Sequence, residues 1–309
     1  MASMTAAWVE SPLQLLGALE HAHATGDELA VVPRSGDAQL ERTAAHLADR
    51  RAFGTGDAHI ALDRRVMPAR LFRAGGDWLI GDAYSGQVQW RLERAEPQTV
   101  TLVDDGAITR RLAQQLQAAE PLLRPNPPRA GSALRRELAA RTTRLLRRLA
   151  REGRLRVTTF LAPSDPAVVA LRDLGAIITC HRFDATRQKG LRAQQVPDGA
   201  RIVLGSAAVA DRLVDPQREI GRLRALARES AIAYLPHRRE PQWFLAALQR
   251  EPEMLVVPAA LPIELALAGT PRALHIIAPI STAAETLPVV LRGTGSIVLL
   301  QPPVPERAR

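Results

Sequence analysis

Short apolar runs recur along the whole chain, each followed within a few residues by turn or helix-start chemistry. In the first half they are Ala6-Ala7-Trp8-Val9, Leu29 to Val32, His59 to Leu62, Trp78-Leu79-Ile80 and Val100 to Val103. In the second half they are Val157 to Leu161, Ala176 to Thr179, Ile202-Val203-Leu204, Ala231 to Leu235, Met254 to Val257, Leu274 to Ile277 and Ile297 to Leu300. Continuous apolar runs of this length suit strands buried on both faces. Helical patterns lie between them, such as Leu13-Leu16-Leu19 and Trp243-Phe244-Leu248. Strands alternating with helices specify parallel sheets covered on both sides. About a dozen strands exceed what one sheet usually holds. The expected fold is therefore α/β, with two doubly wound, Rossmann-like domains.

A chain of 309 residues accommodates two domains, and with 46% hydrophobic and 24% charged residues it is neither disordered nor fibrous. Pro121, Pro125, Pro127, Pro128 and Gly131 cluster as linker chemistry. The expected division is a first domain over 1–130, a basic linker helix over 131–156 and a second domain over 157–309. On the linker helix Leu134, Leu138, Leu145 and Leu149 are expected on one face, with eight arginines from Arg135 to Arg154 on the others. Two readings stay open for that helix. It packs its leucines and leaves its charge in solvent, or it grips an anionic acceptor or membrane surface.

The 41 basic residues outnumber 32 acidic ones by nine, and Lys189 is the sole lysine. Arginine keeps its charge and grips phosphate or carboxylate in a bidentate way. Such a balance points to anionic partners or to an arginine-rich composition alone. A single cysteine, Cys180, excludes an internal disulfide and a cysteine-based zinc site, so a reducing, cytoplasmic setting is expected. No window holds the eighteen apolar residues of a membrane span. The segment MASMTAAWVESPLQ lacks a basic stretch and is not read as a signal peptide.

In open parallel sheets, ligands bind beyond the carboxyl ends of strands, so the residues after each run are the site candidates. Ser11, before Pro12, reads as a helix cap, and Gln14 as a first-turn polar residue that can face a cleft. Gly81 to Gly86 either lets a ligand approach the backbone closely or is an ordinary turn. Asp104-Asp105-Gly106 reads either as a general base with a like-charged neighbour or as a helix cap. Gly205-Ser206 can hold a phosphate with backbone donors. His237 beside Arg238 and Arg239 is either a phosphate clamp or a surface turn. Glu264 either accepts sugar hydroxyls or favours a helix dipole. Ser281 and Thr282 either donate to a phosphate or cap a helix.

The order Glu10-Ser-Pro-Leu-Gln-Leu-Leu, Val103-Asp-Asp-Gly, Tyr234-Leu-Pro-His-Arg-Arg-Glu and Ile280-Ser-Thr resembles the bacterial sialyltransferase and polysialyltransferase group. That group carries a D/E-D/E-G motif, an HP motif and a Ser-Ser/Thr motif in this order. The resemblance covers roughly Trp8 to Thr282. It implies the GT-B fold, with two Rossmann-like domains facing across a cleft. It also implies transfer of sialic acid or a related nonulosonic acid from a CMP-activated donor, with no required metal. Asp104 would be the base that deprotonates the acceptor hydroxyl, and Asp105 would support it. His237, Ser281 and Thr282 would bind the CMP phosphate, with Gly205, Ser206 and Glu264 on the nucleotide side. Ser11, Gln14 and Arg110 would lie on the acceptor side. Two residues depart from the pattern: Arg238 stands where the HP motif has proline, and Thr282 where it has the second serine.

The implied mechanism is a single inverting displacement, in which hydrogen bonds at the phosphate stabilise the leaving CMP. The expected partners are a CMP-sugar and an anionic glycan, with peripheral attachment to an anionic membrane under the second reading of the basic helix, and no nucleic acid. Two alternatives are a non-catalytic nucleotide-binding relative and a dinucleotide-dependent oxidoreductase. The oxidoreductase needs a Gly-x-Gly-x-x-Gly turn after a strand, and Gly293-Thr294-Gly295 lacks the third glycine and a following helix.

Overall fold

The structure, a computed structural model, describes residues 4–49, 65–104, 108–124, 132–258 and 260–301. The run His59 to Leu62, the turn residues Asp105 and Gly106, most of the proline cluster and the tail lie outside these. Each of the eleven other apolar runs forms a strand, and among the described residues every strand pairing is parallel. The chain divides into two compact units, Met1–Ala185 and Thr186–Arg309.

The first unit runs β1 (Thr5–Val9), α1 (Pro12–Thr25), β2 (Leu29–Pro33), α2 (Ala38–Asp49), β3 (Asp77–Ile80), α3 (Gly86–Arg94), β4 (Thr99–Val103) and α4 (Ile108–Ala118). It continues with α5 (Ala133–Arg151), β5 (Leu155–Thr159), α6 (Pro166–Asp173) and β6 (Ile177–Cys180). The strands order as β2-β1-β3-β4-β5-β6. Strand order therefore reverses at β1 and β3, where doubly wound sheets open a crevice. Trp8 and Trp78 on these two strands are fully buried, and burying side chains of this kind stabilises by about 1.5–3 kcal/mol each.

This sheet moves the expected division. β5 extends β4 in parallel, from Val100 opposite Leu155 to Val103 opposite Thr158, and β6 extends β5. The first unit thus runs to Ala185 instead of ending at 130, and the basic helix is one of its layers instead of a linker. The leucine face is also displaced. The buried residues of α5 are Ala139, Thr142, Thr143, Leu146, Leu149 and Ala150. Leu134 is exposed, and Leu138 and Leu145 are half-buried. Packing against α3 and α4 selects a face that also carries small residues, which a leucine count misses.

The division between units falls within α7 (Asp184–Lys189). The second unit then runs β7 (Arg201–Leu204), α8 (Pro216–Glu229), β8 (Ile232–Leu235), α9 (Gln242–Leu248), β9 (Met254–Val256), α10 (Ile263–Leu267), β10 (His275–Ala278), α11 (Thr282–Val290) and β11 (Ile297–Leu300). Its strands order as β11-β10-β7-β8-β9, so the reversal falls at β7 and β10. α8 starts where Asp215 accepts the Arg218 N–H, with Pro216 in its first turn, the pairing of cap and proline that favours a helix start. Val203, Tyr234, Phe244 and Leu248 form the centre of this unit's core. Among the described residues, no helix is long and apolar enough to cross a membrane.

Candidate functional site

Because the second sheet is parallel, the carboxyl ends of β8, β7 and β10 lie side by side on one edge. Three loops open there: Pro236 to Glu240, Gly205-Ser206, and Pro279 to Thr282. The topology thus brings His237, Gly205, Ser206, Ser281 and Thr282 to one sheet edge, at the reversal point where nucleotides bind in sheets of this order.

The middle of this edge is built around a buried carboxylate. Tyr234 donates its hydroxyl to Glu240 Oε1, and the His237 N–H donates to Oε2 at 2.9 Å. The Ser206 backbone N–H also favours the charged form of this carboxylate. A methyl group on Gly205 would stand 2.5 Å from Glu240 Oε2, 2.7 Å from the His237 nitrogen and 2.8 Å from the Tyr234 oxygen. Glycine is thus the residue this close approach admits. Burial raises the Glu240 carboxyl to about 7, although the hydrogen bonds from Tyr234, His237 and Ser206 pull it down. The Tyr234 hydroxyl is pushed far above its usual range, by burial first and then by the Glu240 charge.

His237 is half-buried. Its Nδ1 accepts the Arg239 N–H at 3.2 Å, so the neutral ring carries its proton on Nε2. Burial, followed by the charges of Arg238 and Arg239, holds the imidazole below its usual pKa. The ring therefore works near neutral pH as an N–H donor. Arg239 is paired with Asp211.

Ser281 occupies the position before α11, yet its side chain makes no cap and instead donates to Pro279 O at 3.1 Å. The cap reading is not realised there. Thr282 is half-buried and opens the helix. Glu264 is buried, and its Oε1 accepts the Thr286 hydroxyl at 2.6 Å. This ties α10 to α11 and takes the group away from the solvent edge where a sugar would be met.

The first unit has its own edge at β1, β3 and β4. Ser11 accepts the Gln14 N–H at 3.2 Å, the cap expected from Ser-Pro. Gln14 is buried, so it does not face an open cleft. Its Oε1 accepts the Glu10 N–H at 2.7 Å, and its side chain fills the space a Cβ on Gly81 would need. It thereby joins the ends of β1 and β3. Arg110 donates to Asp165 at 3.2 Å, the residue that caps α6.

Asp104 is 2% exposed. Its Oδ1 accepts the Thr109 hydroxyl at 2.6 Å and its Oδ2 the Thr159 hydroxyl at 2.5 Å. Asp105 lies outside the described residues. A small cavity is lined by Gly81, Asp82, Tyr84, Val103 and Thr109. Asp82 is buried, accepts the Tyr84 N–H at 2.8 Å and pairs with Arg124. Burial pushes its carboxyl up, against the pull of Arg124.

Sequence reasoning gives Glu240 and Asp82 no role. Each follows a strand as one more polar loop residue. Glu240's importance rests on Tyr234, six residues earlier, and on Gly205, a strand away. Among the described residues, no group of three or more His, Cys, Asp and Glu is placed to hold a metal ion. No protein-family model matches the chain, and a search of curated proteins finds no match either.

Proposed function

We propose that this chain is a glycosyltransferase of the GT-B type that takes a nonulosonic acid, such as sialic acid, from a CMP-activated donor and passes it to an anionic glycan. The observation that carries the reading is the Glu240 centre. One buried carboxylate fixes the Gly205-Ser206 and His237 loops at the reversal point of the second sheet. The uncapped start of α11 lies on the same edge, and helix starts favour anions.

In this reading the second unit holds CMP. His237 Nε2–H, the Ser281 backbone N–H and Thr282 donate to its phosphate, which gains charge as the glycosidic bond to the sugar breaks. Donors already fixed in place stabilise that charge without reorganising during the step. The acceptor hydroxyl attacks the anomeric carbon from the opposite face and loses its proton to a general base. Asp104, supported by Asp105, is assigned that role. The reading requires neither a metal nor a redox cofactor.

The burial of Asp104 and its two threonine partners favour a second reading, a nucleotide-binding protein of the same fold that does not transfer. Incubating the purified protein with CMP-sialic acid, with and without an oligosialic acceptor, separates the two. Transfer supports the first reading, whereas binding without release of CMP supports the second. No binding of CMP or its sugar removes both.

A further inference from the structure

We propose that Glu240 is the positioning residue of the nucleotide edge, gathering the Ser206 and His237 amides onto one buried acceptor so that both loops face the same ligand phosphate. The inference rests on the CMP reading and assigns the residue that makes its phosphate site. Three observations support it. Glu240 is 8% exposed, so its carboxylate is not a direct ligand for a solvent-borne phosphate. Its hydrogen-bond donors are His237 after β8 and Tyr234 within β8, and the Gly205-Ser206 turn after β7 packs directly on its Oε2, with the Ser206 N–H favouring its charge. The Gly205 backbone packs so closely on this group that a Cβ would strike Glu240 itself, His237 and Tyr234.

The chemical consequence is a division of labour. A carboxylate beside a phosphate repels it, so a carboxylate aimed at the ligand would weaken binding. Here its charge is turned inward and spent on backbone N–H groups. With its backbone N–H held by Glu240 and its Nδ1 by Arg239, His237 keeps Nε2–H for the ligand. The Ser206 hydroxyl accepts the Ala208 N–H at 3.2 Å and retains its own hydrogen to donate. Removing Glu240 would release both loops while leaving every proposed phosphate donor in the sequence.

The test compares CMP with cytidine, which lacks the phosphate, by calorimetry on the full chain. Wild type is expected to bind CMP more tightly than cytidine; if it does not, the CMP reading fails and not the role of Glu240. Given that preference, Glu240→Ala is expected to lower CMP affinity at least tenfold, to the cytidine level, with cytidine affinity unchanged. Glu240→Gln is expected to recover much of the difference, because its amide oxygen can still accept the two backbone N–H groups. Glu240→Ala retaining the wild-type ratio, or weakening both ligands equally, would overturn the proposal. A second measurement needs no variant. In wild type, the Ser206 and His237 amide resonances are expected to titrate together near pH 7, following the carboxyl group. The titratable and charged groups set around that carboxyl are Tyr234, Glu219 with its partner Arg222, and His237. Independent titration of the two amides would also overturn the proposal.

Discussion

Thr159 donates its hydroxyl to the Asp104 carboxylate across 2.5 Å, joining the ends of β5 and β4. With Thr109 on the other oxygen, Asp104 is both an anchor and the assigned base. Asparagine keeps its size but offers one acceptor atom in place of two. Asp104→Asn is expected to lower stability by about 1–3 kcal/mol, the cost of disturbing buried hydrogen bonds to a charge. Transfer should fall by about 10²–10⁴-fold, the usual contribution of a general base, while CMP affinity stays unchanged. Melting curves with single-turnover assays check this. Lost stability with normal transfer would leave Asp104 as an anchor alone.

Gly205→Ala tests the close approach at the nucleotide edge. Its Cβ would meet backbone nitrogen and two buried oxygens, none of which is the free end of a flexible chain. Stability is expected to fall by about 1–3 kcal/mol, the usual cost of overpacking, and CMP binding with it. A folded variant that binds CMP as wild type does would show that the edge tolerates the shift.

Much of this was legible in the sequence for one reason. A strand buried on both faces must be apolar throughout, and such runs stand out beside arginine-rich helices. The strand ends that carry Gly205, His237 and Ser281 followed directly. The domain division did not, because whether Leu155–Thr159 adds to the first sheet or opens a second depends on pairing with Val100–Val103, which no local pattern specifies. Glu240 was hidden in the same way, since its partners come from a strand and a neighbouring loop. Ser11 was fully legible because a cap is a local hydrogen bond.

The basic helix α5 is expected to be mainly structural. Arg141 pairs with Glu93 and Glu137, Arg144 with Glu137, and Arg148 with Glu96, all across half-exposed surface. Such pairs contribute about 0.2–1 kcal/mol each. Replacing Arg141, Arg144 and Arg148 together by glutamine should lower the melting temperature slightly. Binding to phosphatidylserine vesicles should not change between low and physiological salt. A salt-dependent loss of vesicle binding in the variant would instead assign the helix to an anionic surface.

Glu240 also sets a pH dependence. Its folded pKa of about 7 lies above the ordinary value of 4.5, so between these values the folded state binds more protons than the unfolded one. Stability from this group therefore falls as pH rises from about 4.5 to 7, by an amount on the order of 3 kcal/mol, and is level above that. Glu240→Gln should remove this decline. Denaturant midpoints for the two proteins at pH 5 and pH 8 measure it, and equal slopes would contradict it.

The most direct test of the nucleotide reading is a calorimetric titration of the full chain with CMP, UDP and NAD, repeated on His237→Ala. CMP is expected to bind, UDP and NAD to bind at least tenfold more weakly, and His237→Ala to lose most of the CMP affinity. Equal affinity for UDP and CMP, or a His237→Ala variant that binds CMP as wild type does, would contradict it.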